Sequence, residues 1–301
     1  MWKNKDGMSC LAEEAGFDPA QLDRDYNAKA TVTPEEFAAE MVRYREASVA
    51  PRADWGRHFD VIYDEESGQR VDIFGPPSLG GLNPVFVFVH GGYWRALSKE
   101  DSAMMAGMLA AEGIATVTVD YRLAPEASLA EITREVRAAL AFVWHHGRAY
   151  GLDPDRIAVG GSSAGGHLAG ALLAEGWHGD FGLPSDVVKF GMPVSGLFEL
   201  APLAATFPQE WLNLSPADVD LLSPLRHIPE CGCPITVAWA EHEADGFKRQ
   251  SCAYAEGWTA AGGVAETIEV ASRNHYDILM DWRAPETEMS QALLAGIRSI
   301  R

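Results

Sequence analysis

The sequence predicts an α/β fold, a mostly parallel central sheet with helices on both faces, and three observations carry that expectation. Short apolar runs recur along the chain, from "VFVFVHGG" through "GIATVTVDYR", "RIAVGG", "KFGMPVSG" and "PITVAWAE" to "ETIEVAS". Continuous Val/Ile/Phe runs of this kind suit strands that are covered on both faces. Helical periods lie between them, the clearest being Ile132, Val136, Leu140, Val143 and Trp144 at steps of three and four. Strands alternating with such helices argue for parallel pairing through crossovers. The chain has 301 residues, 47% of them hydrophobic, enough for one large core.

Taken in order, the first segment is polar and helix-leaning. Thr33 is a helix cap candidate, with Pro34 at the first helical position and Glu36 where a capping box needs it. Phe37, Met41 and Tyr44 follow at helical spacing. Residues 1–57 are therefore expected to form a helical arm packed on the main domain, 58–301. "HFDVIY" and "QRVDIFG" read as two strands joined by the turn "DEESG", an antiparallel edge to the sheet. No repeat or low-complexity tract interrupts the pattern.

Composition excludes several classes of function. A formal net charge of -19 would repel a phosphate backbone, so nucleic acid is not an expected partner. Cys231 and Cys233 are spaced C-x-C, and with Cys10 and Cys252 they make no metal or redox pattern, so ordinary thiols are expected and no metal or cofactor. The first twenty residues show no apolar signal-peptide core, and no run approaches the ~20 apolar residues of a membrane span. The expectation is a cytoplasmic protein with a small-molecule partner and no membrane, with a homodimer left open.

Chemistry concentrates at "GGSSAGG", residues 160–166, which follows a strand and opens the helical run "SSAGGHLAGALLAEGW". A serine at the tip of a sharp strand-to-helix turn needs very small neighbours two residues away on each side. Ser163 has Gly161 and Gly165 there, whereas Ser162 would have Ala164. Ser163 is the nucleophile candidate, and the helix start after it, Ala164 first, offers N–H groups to a developing oxyanion. "HGGYW", residues 90–94, directly follows the strand "VFVFV" and stands where an oxyanion loop stands, so Gly91, Gly92 and Tyr93 are candidate donors. A serine hydroxyl needs a base. His275, in "ASRNHYDIL" after the final strand, is better placed than His90, His145, His146, His167 or His227. Glu241, Glu243 and Asp245 compete for the acid in "AEHEADGF", and alternation does not decide among them.

The set "HGGYW", "DYRLAP", "GGSSAGGHLA", "VSGLFEL" and "FKRQS" resembles the α/β-hydrolase fold and is most similar to kynurenine formamidases and their bacterial esterase relatives. The resemblance runs from about residue 22 to the C-terminus. It implies a serine hydrolase acting on a formyl aryl amide, with general short-chain carboxylesterase activity as the alternative. It also implies an acid four residues before the Phe of "F-x-R-Q-S", hence Glu243, where the family usually has Asp preceded by a glycine that is Ala240 here. A small cap is implied over 197–233. Phe198 and Trp211 from it, with Tyr93, Trp94 and Tyr276, are expected to line an aromatic pocket. Bulk at Tyr93 and Trp94 should restrict the acyl side to formyl- or acetyl-sized groups. A catalytically idle binding protein on the same fold is the reading from another class, and the intact Ser, acid and His positions argue against it.

Overall fold

The computed structural model describes residues 11, 14, 16–77 and 81–300. Cys10 and most of the first twenty residues lie outside them. Two helices, α1 (Pro19–Asp25) and α2 (Pro34–Trp55), precede the sheet. The chain continues through β1 (Gly56–Asp64), β2 (Gln69–Phe74), β3 (Asn83–Val89), α3 (Ala106–Ala111), β4 (Ala115–Val119), α4 (Leu129–His146), β5 (Leu152–Ser162), α5 (Ala164–Leu173) and β6 (Val188–Val194). Three short helices follow, α6 (Ala201–Ala204), α7 (Gln209–Leu212) and α8 (Pro216–Leu222). They occupy the region expected as a cap. Then come β7 (Ile235–His242), α9 (Asp245–Ala260), β8 (Ala265–Asn274) and α10 (Glu288–Arg298).

The eight strands form one sheet in the order β1-β2-β4-β3-β5-β6-β7-β8. β1–β2 and β2–β4 are antiparallel and every other pair is parallel. The chain leaves β3 toward β4 and leaves β5 toward β6, in opposite directions. Such a switch point opens a crevice at the carboxyl ends of the two adjacent strands, and "HGGYW" and "GGSSAGG" emerge from these ends.

Alternation along β3 sorts its side chains to two covered faces. Val85, Val87 and Val89 join Ile132, Val136 and Leu140 of α4. Phe86 and Phe88 join Leu109, Leu293 and Trp282 on the other face, both rings meeting Trp282 edge-on at 5.8 Å. The continuous apolar runs follow from this double coverage. Local signals agree at the helix starts: both reciprocal hydrogen bonds of a capping box are present at Thr33/Glu36 and at Ser128/Glu131.

Two of the motifs turn out to be scaffolding. In "DYRLAP", Arg122 pairs with the wholly buried Glu135 of α4, whose other oxygen accepts the Arg122 amide at 2.8 Å. In "FKRQS", Arg249 is buried and binds Glu14 at 2.7 Å and Asp25 at 2.6 Å. Gln250 donates to the Tyr26 hydroxyl and the Glu199 carbonyl, and its oxygen accepts the amides of Phe198 and Glu199. Arg249 of α9 therefore holds the N-terminal arm, and Gln250 holds both the arm and the start of the segment 197–233.

Removing Arg122 leaves Glu135 buried beside one backbone donor. Arg122→Ala is expected to cost about 2 kcal/mol, below the range for wholly buried pairs because Arg122 is one-third exposed. Chemical denaturation of the two proteins checks this, and an unchanged midpoint would contradict it.

Candidate active site

Ser163 sits between β5 and α5 with φ 60° and ψ -120°. A non-glycine residue there carries strain of order 1–3 kcal/mol, held in place by its surroundings. Its amide donates to the Val194 carbonyl at 2.9 Å, and its carbonyl accepts from His167 at 3.0 Å. The flanking glycines are required sterically. A Cβ on Gly161 would lie 2.2 Å from the Gly165 carbonyl oxygen, and one on Gly165 would lie 2.1 Å from that of Val89. Backbone atoms cannot yield at such distances. Ser162 ends β5 in ordinary strand geometry and also reaches the cavity described below.

The loop after β3 is built as tightly. Gly92, Tyr93 and Trp94 all have positive φ, at 97°, 50° and 57°. A Cβ on Gly92 would meet the Ala96 carbonyl at 2.2 Å. Tyr121 donates to the carbonyls of His90 at 3.0 Å and Gly91 at 3.2 Å, and its ring stacks on His90 at 4.2 Å. In a trans peptide the next N–H points opposite to the carbonyl, so Tyr121 fixes the directions of the Gly91 and Gly92 amides. On the facing side, Ala164 opens α5 with no side-chain cap on its first turn, and such amides are available to an anion.

His90 donates through Nδ1 to the Gly91 carbonyl at 2.9 Å, and burial pushes its pKa down to about 4. His167 is likewise held down to about 4 by burial; its Nε2 donates to Leu222 at 2.8 Å and its Nδ1 accepts the Trp94 indole at 3.3 Å. Burial thus favours the neutral form of both rings.

His275 follows β8 in a turn held by Asn274, whose side-chain oxygen accepts the amides of Tyr276 and Asp277. Its Nδ1 lies 2.8 Å from Glu243 Oε2, with both side chains buried. A proton shared on that side leaves Nε2 as the acceptor. Of the three competing carboxylates, Glu243 is the one brought to His275. Glu241 is exposed and accepts the Ser272 amide, and Asp245 is exposed at the start of α9.

Ser163, His275, Tyr276 and the Gly91–Tyr93 loop line one cavity of about 360 Å³. Trp211 lines it too, its indole donating to the Tyr93 carbonyl at 3.1 Å. Two expected wall residues are not there. Trp94 is fully buried against His167, because its positive φ turns the ring toward α5. Phe198 is fully buried and stacks on Tyr254 at 4.0 Å, packed over Gly196. Their places are taken by Phe207 from the cap segment and by Phe37, Met41 and Tyr44 from α2. The spacing of those three arm residues was visible in the sequence, but not the surface they face. The arm is tied in directly: the Tyr93 hydroxyl donates to the Tyr26 carbonyl, and the Tyr44 hydroxyl donates to that of Tyr276 at 2.6 Å.

Among the described residues no group of three or more His, Cys, Asp or Glu could hold a metal ion, and no helix is long and apolar enough to cross a membrane.

The BD-FAE family model matches residues 71–180. The chain is 30% identical over 226 residues to a kynurenine formamidase of Danio rerio, covering 73% of this chain and 75% of that protein. It is 28% identical to a kynurenine formamidase of Salmo salar, over 97% of each chain. Among solved structures, a putative thioesterase from a Silicibacter species superposes with a TM-score of 0.77 at 26% identity, covering 92% of this chain and 99% of that one.

The glycine contacts and the buried histidines each make a test. Gly165→Ala is expected to abolish soluble folded protein or all activity, whereas Gly179→Ala, with nothing within 4 Å of its Cβ, is expected to behave as wild type. Solubility, melting and ester turnover read this, and a folded, active Gly165→Ala would contradict the packing of the turn. A histidine whose folded pKa lies below its unfolded value stabilises the fold above the unfolded value and loses that contribution as pH falls toward the folded one. His167→Asn should therefore flatten the stability loss between about pH 6.5 and 4 by up to about 1.4 kcal/mol per pH unit. Urea titrations across that window check the slope, and equal slopes would contradict it.

Proposed function

The chain belongs to the kynurenine formamidase family of α/β-hydrolases and is a hydrolase, and from that premise we propose that it removes a formyl- or acetyl-sized acyl group from an aryl amide or ester by serine catalysis. Ser163 attacks the acyl carbon while His275 Nε2 takes the hydroxyl proton. The tetrahedral oxyanion is held by N–H groups of the Gly91–Tyr93 loop and of Ala164. His275 then gives its proton to the departing amine or alkoxide, leaving an acyl ester on Ser163. Water, deprotonated by the same histidine, releases the acid. Glu243 fixes the imidazole tautomer and stabilises its charged form. The setting in this reading is the cytoplasm, with a small molecule as partner and no cofactor. The arm through residue 57 and the cap segment 197–233 act as walls of one catalytic unit.

The observation that carries the reading is the 2.8 Å His275–Glu243 contact, with His275 and Ser163 on the wall of one cavity. Tyr93 supports the small-acyl part. Its ring meets Phe207, Trp211 and Phe247 edge-on while its hydroxyl is tied to Tyr26. Held this way, it cannot swing aside to admit a long chain beside the oxyanion loop. A displaced carbonyl is costly, since a shift of ~1 Å can lose about a hundredfold in rate.

Glu243→Gln is expected to keep the fold and lower kcat roughly a thousandfold, because an amide favours the wrong imidazole tautomer. For the wild type, kcat/KM should fall steeply from p-nitrophenyl acetate to octanoate. An N-formyl aryl amide such as N-formylkynurenine, assayed on the same preparation, separates amidase from esterase. Preference for octanoate would overturn the small-acyl reading, and turnover of acetate with none of the formamide would leave a short-chain carboxylesterase.

A further inference from the structure

We propose that Asp120 is a positioning residue for the Gly91–Tyr93 loop, and that with His90 it forms a site for one proton whose filling draws the loop away from Ser163. The proposal rests on the catalytic reading of Ser163 and His275 given above and adds a control on it. The segment after β4 holds the loop along its length. The Tyr121 hydroxyl binds the carbonyls of His90 and Gly91. The Ala124 amide donates to the Trp94 carbonyl at 2.7 Å. Asp120 Oδ1 accepts the Lys99 amide at 2.8 Å, just beyond the loop. The backbone of Asp120 is itself fixed: its amide donates to the Arg70 carbonyl at 3.0 Å, and its carbonyl accepts the Tyr63 hydroxyl at 2.7 Å. Tyr93, Trp94 and Leu97 carry positive φ, so this stretch is strained and depends on such ties.

Beside these ties lies a mismatch. His90 is buried, and among the described residues its Nε2 makes no hydrogen bond. Nδ1 donates to the Gly91 carbonyl, which leaves Nε2 an acceptor. It faces Asp120 Oδ1 at 4.0 Å, too far for a hydrogen bond, and a carboxylate has no proton to offer. One proton from solvent completes the pair, as O–H···N or as the equivalent ion pair. Burial raises the Asp120 pKa to about 6 and holds that of His90 down to about 4. The first proton therefore enters through the carboxyl and belongs to both groups.

The surrounding charges leave Asp120 the weakest held of its group. The buried Lys99 ammonium lies 2.9 Å from Asp60, 3.5 Å from Asp72 and 3.8 Å from Asp120, and it also pairs with Glu100. Arg52 of α2 pairs with Asp72, and Arg45 with Asp101. Asp72 and Glu100 thus repel Asp120 while competing for its one cation. Closing the 4.0 Å gap to an ordinary hydrogen bond takes an approach of roughly 1 Å. Movement of Asp120 gives up the Lys99 amide, and movement of His90 carries the Gly91 peptide with it. Either shifts the loop donors relative to Ser163, and ~1 Å can lose about a hundredfold in rate.

The test compares the full chain with Asp120→Asn. Asparagine keeps an acceptor for the Lys99 amide, carries no charge and has an N–H to give His90 Nε2, so it stands for the protonated pair at every pH. Turnover of p-nitrophenyl acetate is measured for both proteins from about pH 8 to about pH 5.3. The titration of His275 cancels in the ratio of the two kcat values. That ratio is expected to be about thirty at about pH 8 and to fall about fivefold by about pH 5.3, with its midpoint near pH 6 and KM nearly unchanged. A ratio of one at the upper pH, or one that stays constant as a merely structural loss would, overturns the proposal. A second measurement needs no variant: in the ¹⁵N-labelled wild type, the His90 Nε2 signal is expected to move upfield with the same midpoint while Nδ1 stays protonated. A constant Nε2 signal overturns the proposal whether or not Asp120→Asn folds. Ester turnover by Ser163→Ala at the wild-type rate would fault the catalytic reading instead, and the nitrogen titration does not depend on that reading.

Discussion

The site depends on one close approach of backbone to backbone. The turn from Gly161 to Gly165 folds back on itself and presses against the end of β3, so tightly that a methyl group on Gly165 would come within 2.1 Å of the Val89 carbonyl oxygen and 2.6 Å of that of His90. The contact holds Ser163 at its strained φ and sets the Gly91–Tyr93 loop beside it. Switch-point topology provides the crevice, but only glycine lets the two strand ends close on it. The loop is then fixed from behind: Tyr121 binds the His90 and Gly91 carbonyls, and Asp120 accepts the Lys99 amide at 2.8 Å. Burial raises the Asp120 pKa to about 6.

A second consequence is that the site is completed from outside the sheet. Arg249 and Gln250 on α9 anchor the arm, which returns Tyr26 to Tyr93 and presents Phe37, Met41 and Tyr44 to the cavity. Gln250 also holds the start of the cap segment, which contributes Phe207 and Trp211 to the wall. The Phe207 amide donates in turn to Asp23 of α1 at 2.8 Å, linking the cap segment to the arm. The arm, the segment 197–233 and the Gly91–Tyr93 loop are thus coupled through hydrogen bonds that converge on Tyr26 and Tyr93.

What could be read from the sequence was what short-range sterics and periodicity govern. Each apolar run became a strand: the central ones are covered on both faces, whereas the edge strand β8 alternates buried Ile268 and Val270 with exposed Glu266 and Glu269. The register of the glycines picked Ser163 over Ser162, because the clash is local. The candidate acid was less legible: Glu241, Glu243 and Asp245 lie within five residues at the end of β7 and the start of α9, and only tertiary structure brings one of them to His275. Aromatic identity was a poor guide to the pocket. Trp94 turns away because of a positive φ that its own letter does not announce, and Phe198 folds over Gly196 into the core. The arm carried a readable apolar face, yet its target lay more than a hundred residues away at Tyr276 as well as in the nearer Tyr93 loop.

The central claim is that the strained turn makes Ser163 the nucleophile, and covalent labelling addresses it most directly. A fluorophosphonate probe requires an activated serine, and peptide mass spectrometry reports which serine it has modified. The account predicts a single adduct on Ser163 in the intact protein, formed in proportion to loss of ester turnover. An adduct on Ser162, or full loss of turnover with Ser163 unmodified, would contradict it.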